Sequence, residues 1–254
     1  MSRIVVKVGS NVLTRTDGMA DTTVISSLVD QIAELHSRGH EVILVSSGAV
    51  ACGRRLIKDA DIKDEVEKRQ LYSAMGQVRL IGLYFNLFRD HGLAMGQVLT
   101  MKEHFTEGRE LENQRNCMEV MLRNGVIPVV NENDTVCITE LMFTDNDELS
   151  GLIAETMGAE SLVILTNVDG IYDGDPSDTN SKVIPVIRPE DRVEDNIVTE
   201  GSSFGRGGMK SKCETARRIA AKGIKVIIAR GRKENILIDL LSRPDEVLHT
   251  EFSI

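Results

Sequence analysis

Short apolar runs alternate along this chain with segments whose apolar positions recur at helical spacing. Ile4 to Val8 is brief and mostly β-branched, the signature of a strand buried on both faces. Behind Asp21 or Thr22 as N-cap, Ile25, Leu28, Val29, Ile32 and Leu35 mark one face of a helix that Gly39 closes. Glu41–Ser46 reads as the next strand. A helix from about Lys68 to Arg89 ends near Gly92, and the apolar run Leu93–Val98 follows. A helix over Arg109–Arg123 stops at Asn124-Gly125 and leads into Val126–Val130. Residues from about Glu148 to Met157 are helical, Ser161–Leu165 a strand, Met209 to Lys222 a helix and Ile224–Ile228 a strand. Strands alternating with helices predict an α/β fold, an open and mostly parallel sheet sandwiched between helices. The polar stretch Asp173–Lys182 reads as a loop or a junction between lobes.

Composition narrows the partners. The 254 residues are 41% hydrophobic and 27% charged, enough to bury a sizeable core. Lys plus Arg is 30 against 39 for Asp plus Glu, a net charge of −9, which argues against nucleic acid or anionic membrane as a partner. No apolar run approaches the ~18 residues of a membrane span, and the first residues do not read as a signal peptide. Cys52, Cys117, Cys137 and Cys213 are scattered, so neither a disulfide framework nor a zinc site is expected, and a cytoplasmic location is.

Ligands of open α/β sheets sit outside the carboxyl ends of the strands, where this chain repeatedly places polar, glycine-bearing segments. Lys7-Val8-Gly9-Ser10 ends the first strand, Ser46-Ser47-Gly48-Ala49 the second, Asn131-Glu132-Asn133-Asp134 follows Val130, and Thr166-Asn167-Val168-Asp169-Gly170 follows Leu165. Gly205-Arg206-Gly207-Gly208-Met209-Lys210-Ser211-Lys212 opens a helix. Glycines there let backbone N–H groups turn toward an anion, and two lysines in a first turn oppose the macrodipole unless phosphate offsets them. A solvated glycine-rich loop is the plainer reading of that segment alone. Lys7 is either an ordinary strand-end lysine or a cation that offsets charge on a moving phosphoryl group. Asp145 and Asp147 precede or open a helix, so at least one caps it; Asp134 is open to a plain turn reading and Asp169-Gly170 is expected to be one. Cys213, with Ala216 and Ile219, belongs to a buried helix face.

Together these segments, in their order and spacing, resemble the amino acid kinase family, and within it the members that act on L-glutamate. The resemblance spans essentially the whole chain. It implies one kinase domain over 1–254, with an amino-acid-binding lobe to about 157, a nucleotide-binding lobe from about 158, and no C-terminal PUA module. It implies transfer of the γ-phosphoryl group of ATP to the side-chain carboxylate of glutamate, a step that opens proline synthesis. Lys7, Lys212 and Asp147 are the implied catalytic residues, the lysines stabilising charge and Asp147 organising them. Ser47, Gly48, Ala49, Asp134 and Asn146 are implied to bind glutamate. Lys7, Gly9, Ser10, Thr166, Asn167, Arg206, Gly207, Gly208, Met209, Lys210, Ser211 and Lys212 are implied to hold the nucleotide. Mg²⁺ is expected on phosphates and water, not in a protein cage. A homo-oligomer, dimer or tetramer, and hand-over of the product to a γ-glutamyl phosphate reductase are the implied associations. Asn167 departs from the family's usual Asp. The rivals are kinases of the same fold acting on acetylglutamate, aspartate, carbamate or a nucleoside monophosphate, and a silent ligand-binding sensor.

Overall fold

The computed structural model describes residues 2–57, 62–136, 145–193 and 208–253. Within them, eight strands form one sheet in the order β3-β4-β2-β1-β5-β7-β8-β6. The strands are β1 (Arg3–Val8), β2 (Glu41–Ser46), β3 (Ala94–Thr100), β4 (Val126–Glu132), β5 (Ser161–Thr166), β6 (Val186–Ile187), β7 (Lys225–Arg230) and β8 (His249–Phe252). Every pairing is parallel except β7 with β8. The expected mostly parallel sheet between helices is therefore the observed fold.

The helices are α1 (Ser10–Leu13), α2 (Thr22–Ser37), α3 (Ala49–Arg54), α4 (Glu65–Asp90), α5 (Arg109–Arg123), α6 (Asn146–Thr156), α7 (Met209–Ala220) and α8 (Ile236–Ser242). Alternation along the strands splits the core in two. Ile4, Val6 and Val8 pack with α2, α4 and α8 on one face, while Val5 packs with α5, α6 and α7 on the other. That double burial explains why the central strands read as unbroken apolar runs.

Local chemistry sets the helix starts. The carboxylates of Asp21, Asp64 and Asp145 accept N–H groups from the first turns of α2, α4 and α6. Helix α4 thus starts at Glu65, three residues before the sequence pattern suggested, and α6 starts at Asn146, two before. The pattern missed α1, α3, α8, β6 and β8, all short. The stretch Asp173–Lys182 is a turn-rich excursion closed at its base, where the Asp173 amide donates to the Lys182 carbonyl at 3.0 Å.

Two glycine contacts shape the end of β2. Gly48 has φ +105°, a left-handed conformation that side chains resist, and it lets the chain turn from β2 into α3. Helices α3 and α4 then cross so closely that a Cβ on Gly76 would lie 1.8 Å from the Ala49 carbonyl oxygen.

Candidate active site

The carboxyl ends of β1, β2, β4, β5 and β7 line one rim, and two helix N-termini point their first turns at it. Lys7, one residue before the end of β1, is 4% exposed between Val6 and Val8. Asp147 lies in the first turn of α6, fully buried, and Lys212 in the first turn of α7, 9% exposed. The three meet: Lys7 Nζ is 2.5 Å from Asp147 Oδ1, and Lys212 Nζ is 2.9 Å from Asp147 Oδ2. Burial of an ionised group is costly unless it is paired, and here one carboxylate serves two ammoniums. Burial holds the Lys7 ammonium below the usual lysine range despite the pull of Asp147. Burial alone would raise the Asp147 carboxyl, but Lys7 and Lys212 together hold it below the usual range.

Asp145 has the capping task. Its Oδ1 accepts the amides of Asp147 and Glu148 at 2.9 and 3.0 Å, and Ser211 Oγ donates to its Oδ2. Burial, reinforced by the charge of Asp147, raises the Asp145 carboxyl. The two acids that the sequence left undivided are thus divided: Asp145 fixes the helix and ties it to α7, and Asp147 holds the lysines. Lys210 and Lys212 are divided as well. Lys212 is paired with Asp147 within the protein, whereas Lys210 is exposed.

A second polar cluster extends along the rim from the same helix. Asn146 Nδ2 donates to Ser47 Oγ at 2.7 Å and to Asn131 Oδ1 at 3.0 Å, and Asn131 Nδ2 donates to Gln77 Oε1 at 3.1 Å. Beyond Asn131, Arg69 of α4 donates through Nε to Asp134 Oδ1 at 2.8 Å and through Nη2 to Asp134 and to Glu132, the latter at 3.2 Å. Ser73 Oγ completes the cluster on Asp134 Oδ2 at 3.2 Å. Sequence reasoning singled out Asn146, Ser47 and Asp134 but missed Arg69, Ser73 and Gln77. Their signal is a polar stripe every four residues on one face of α4, which reads as solvent-facing until α4 is docked on the rim. Gly48 forms the turn beside Ser47, and Ala49 is buried at the start of α3.

On the other side of Lys7 lie the remaining predicted residues. The Gly9 amide donates to the Leu165 carbonyl at 3.3 Å. A Cβ on Gly9 would sit 3.6 Å from Lys7 Nζ, so glycine keeps the space beside that ammonium open. Ser10 begins α1; Thr166, buried, ends β5 and donates to Asn167 Oδ1 at 3.2 Å, and Asn167 is exposed. Gly208 is the N-cap of α7 and Met209 packs against the core behind it. Arg206 and Gly207 lie outside the described residues, as does Cys137. Among the described residues no three His, Cys, Asp or Glu side chains cluster as a metal site. The acids nearest the lysines are already engaged, Asp147 by two ammoniums and Asp145 by Ser211 and two amides, a donor set that fits a cation carried on a ligand's phosphates.

A buried carboxylate bridges two lysines at the strand ends of a parallel sheet, in front of a glycine-capped helix. The sequence profile described as the amino acid kinase family matches residues 2–230. The chain belongs to the amino acid kinase family. It is 58% identical over 251 residues to the glutamate 5-kinase of Bacteroides thetaiotaomicron, covering 99% of this chain and 70% of that protein. The glutamate 5-kinases of Chlorobaculum tepidum and Syntrophus aciditrophicus are 46% and 39% identical, covering 92% and 94% of this chain. This chain spans 65% and 63% of their lengths. In fold it is similar to an isopentenyl phosphate kinase in its substrate complex (TM-score 0.71, 17% identity, 99% of this chain and 100% of that chain). It is also similar to the UMP kinase of Ureaplasma parvum (TM-score 0.65, 18% identity, 100% of this chain and 99% of that chain). Among the described residues no helix is long and apolar enough to cross a membrane.

Proposed function

We propose that this amino acid kinase domain transfers the γ-phosphoryl group of ATP to the side-chain carboxylate of L-glutamate, giving γ-glutamyl phosphate and ADP. The observation that carries the reading is the buried Lys7–Asp147–Lys212 bridge, two ammoniums on one carboxylate at the strand-end rim. Phosphoryl transfer asks the protein for positioning and for charge compensation, not for a nucleophile of its own. The attacking group is a glutamate carboxylate oxygen, ionised at neutral pH, so no proton has to move. The new O–P bond forms as the bond from Pγ to the β–γ bridging oxygen breaks, and the electron pair leaves with ADP. Lys7 and Lys212 offset the charge spread over the equatorial and leaving oxygens, and Asp147 holds both ammoniums in position.

The polar cluster beyond Asn146 supplies the acceptor end. Asn146 and Ser47 hold the glutamate from one side, with the turn of Gly48 and Ala49 beneath them. Asp134 receives the α-ammonium, and the Nη1 edge of Arg69, which its Asp134 and Glu132 bonds do not use, faces the α-carboxylate. Glutamate's own ion pair thus complements the one between Arg69 and Asp134. Thr166, Asn167, Gly9, Ser10 and the segment from Arg206 to Lys212 hold the nucleotide. Mg²⁺ bound through the nucleotide's phosphates would neutralise charge that the two lysines do not reach. On this reading residues to about 157 carry the amino acid and those from about 158 the nucleotide. An acyl phosphate hydrolyses readily, which favours hand-over to a reductase in the same cytoplasmic compartment; association as a dimer or tetramer is part of the same reading.

The experiment is ATP-dependent hydroxamate formation with Mg²⁺, run across glutamate, acetylglutamate, aspartate and carbamate. Glutamate is expected to be the preferred acceptor. Turnover of acetylglutamate or aspartate in preference to glutamate overturns the substrate, and binding of ATP without turnover of any acceptor overturns the catalyst.

A further inference from the structure

The sequence pattern offers Asp169-Gly170 as a plain turn, but the structure builds a fixed ion pair there. Arg230, the last residue of β7, donates through Nε to Asp169 Oδ1 at 2.7 Å and through Nη2 to Asp169 Oδ2 at 2.9 Å. Tyr172 donates its hydroxyl to the same Oδ2 at 3.1 Å. Arg230 stands directly beside Thr166 in the β5–β7 register, and the Gly231 amide donates to the Thr166 carbonyl at 2.8 Å. The segment carrying Asp169 is pinned from behind: the Ile171 amide donates to Thr250 Oγ1 at 2.8 Å, and the Ile184 amide to the Ile171 carbonyl at 2.8 Å. With its carboxylate bound by a fork and a phenol, Asp169 is held below the usual acid range, mainly by Arg230.

This geometry states what the pair is for. A guanidinium intended for phosphate would offer its charge and its two-pronged edge to the ligand. Here Asp169 already occupies one such edge and cancels the charge, while the Arg230 side chain is 42% exposed. What remains for a ligand is a flat, rigid, delocalised plane and the Nη1 donors, the features by which arginine stacks on aromatic rings. The nucleotide subsite of the proposed kinase reading has its phosphates at Lys7 and Lys212, and the end of β7 lies on the far side of Thr166 from β1. We infer that the Arg230–Asp169 pair is the wall against which the nucleobase rests, with Arg230 stacking on the ring and Asp169 and Tyr172 as positioning residues that hold its plane.

The inference rests on the kinase reading, and its test separates the two. ATP is measured as substrate, and inorganic tripolyphosphate, which has no base, as competitor, in the wild type and in Arg230→Ala, Arg230→Lys and Asp169→Asn. Arg230→Ala is expected to raise KM for ATP about tenfold, the size of one stacking contact, while tripolyphosphate inhibition and KM for glutamate stay as in the wild type. Arg230→Lys keeps the charge and loses the plane, so it is expected to behave like Arg230→Ala. Asp169→Asn is expected to shift ATP in the same direction by less. Rescue by lysine, or an equal loss of ATP and tripolyphosphate, assigns Arg230 to phosphate and overturns the inference. Unchanged KM for ATP in Arg230→Ala overturns it as well. A wild type that binds neither ATP nor tripolyphosphate overturns the kinase reading instead.

Discussion

Replacing Asp147 by Asn keeps the shape of the site and removes the one charge that both lysines share. The two contacts, at 2.5 and 2.9 Å, each correspond to ~6 kcal/mol of attraction at an effective dielectric constant of ~20. Most of that attraction only offsets the desolvation of three buried ions, so the net penalty for breaking the cluster is ~3–5 kcal/mol. For a domain of this size such a loss lowers Tm by about 10 °C. The penalty also has a pH signature. Because the folded Asp147 carboxyl is held below its ordinary value, its contribution is fully present above the unfolded value of ~3.9 and is lost as pH falls through the folded one. Lys7 titrates below the ordinary lysine range, so the pair also fades as pH rises through that lowered value. The difference in Tm between wild type and Asp147→Asn is therefore expected to be widest in between and to shrink at both ends. Calorimetric melts across pH measure this directly, with Lys7→Met and the double variant completing a cycle. Equal Tm values at neutral pH, or strict additivity of Lys7→Met with Asp147→Asn, would refute the idea that one carboxylate carries both cations.

Three further outcomes follow from the same geometry. Lys212→Ala leaves the Lys7–Asp147 pair intact, so the domain stays folded while kcat falls by roughly 10²–10³; steady-state kinetics beside a melting curve check both halves. Arg69→Lys keeps a cation near Asp134 and Glu132 but loses the fork, and it is expected to raise KM for glutamate about tenfold with KM for ATP unchanged; a matched rise for both substrates contradicts the placement of Arg69 at the acceptor end. Gly76→Ala puts a methyl 1.8 Å from the Ala49 carbonyl oxygen, and because backbone must move to admit it the cost is expected to be about 3 kcal/mol, read by urea denaturation.

How much was legible in the sequence depends on how locally each feature is encoded. The strands Ile4–Val8, Glu41–Ser46 and Ser161–Leu165 announce themselves because both of their faces are buried and every position is free to be apolar. Strand β8 does not: its four residues alternate His, Thr, Glu and Phe, and only Thr250 and Phe252 face inward. The rim was legible as a set of glycine-bearing strand ends. Which acid caps α6 was not, because Asp145 and Asp147 are equally good caps until tertiary contact brings Lys7 and Lys212 to one of them. Arg69 and Arg230 escaped for a related reason. Each looks like an ordinary surface arginine on its own element, and only its partner, Asp134 or Asp169, far off in the chain, gives it a position.

The bridge across Asp147 also sets an order of events during synthesis. Lys212 follows Asp147 by 65 residues, a lag of roughly 3–13 s at ordinary elongation rates. The two-cation bridge can therefore close only after α7 has been made and docked on the rim. One carboxylate thus makes completion of the rim a single closing event that joins segments from both halves of the sequence.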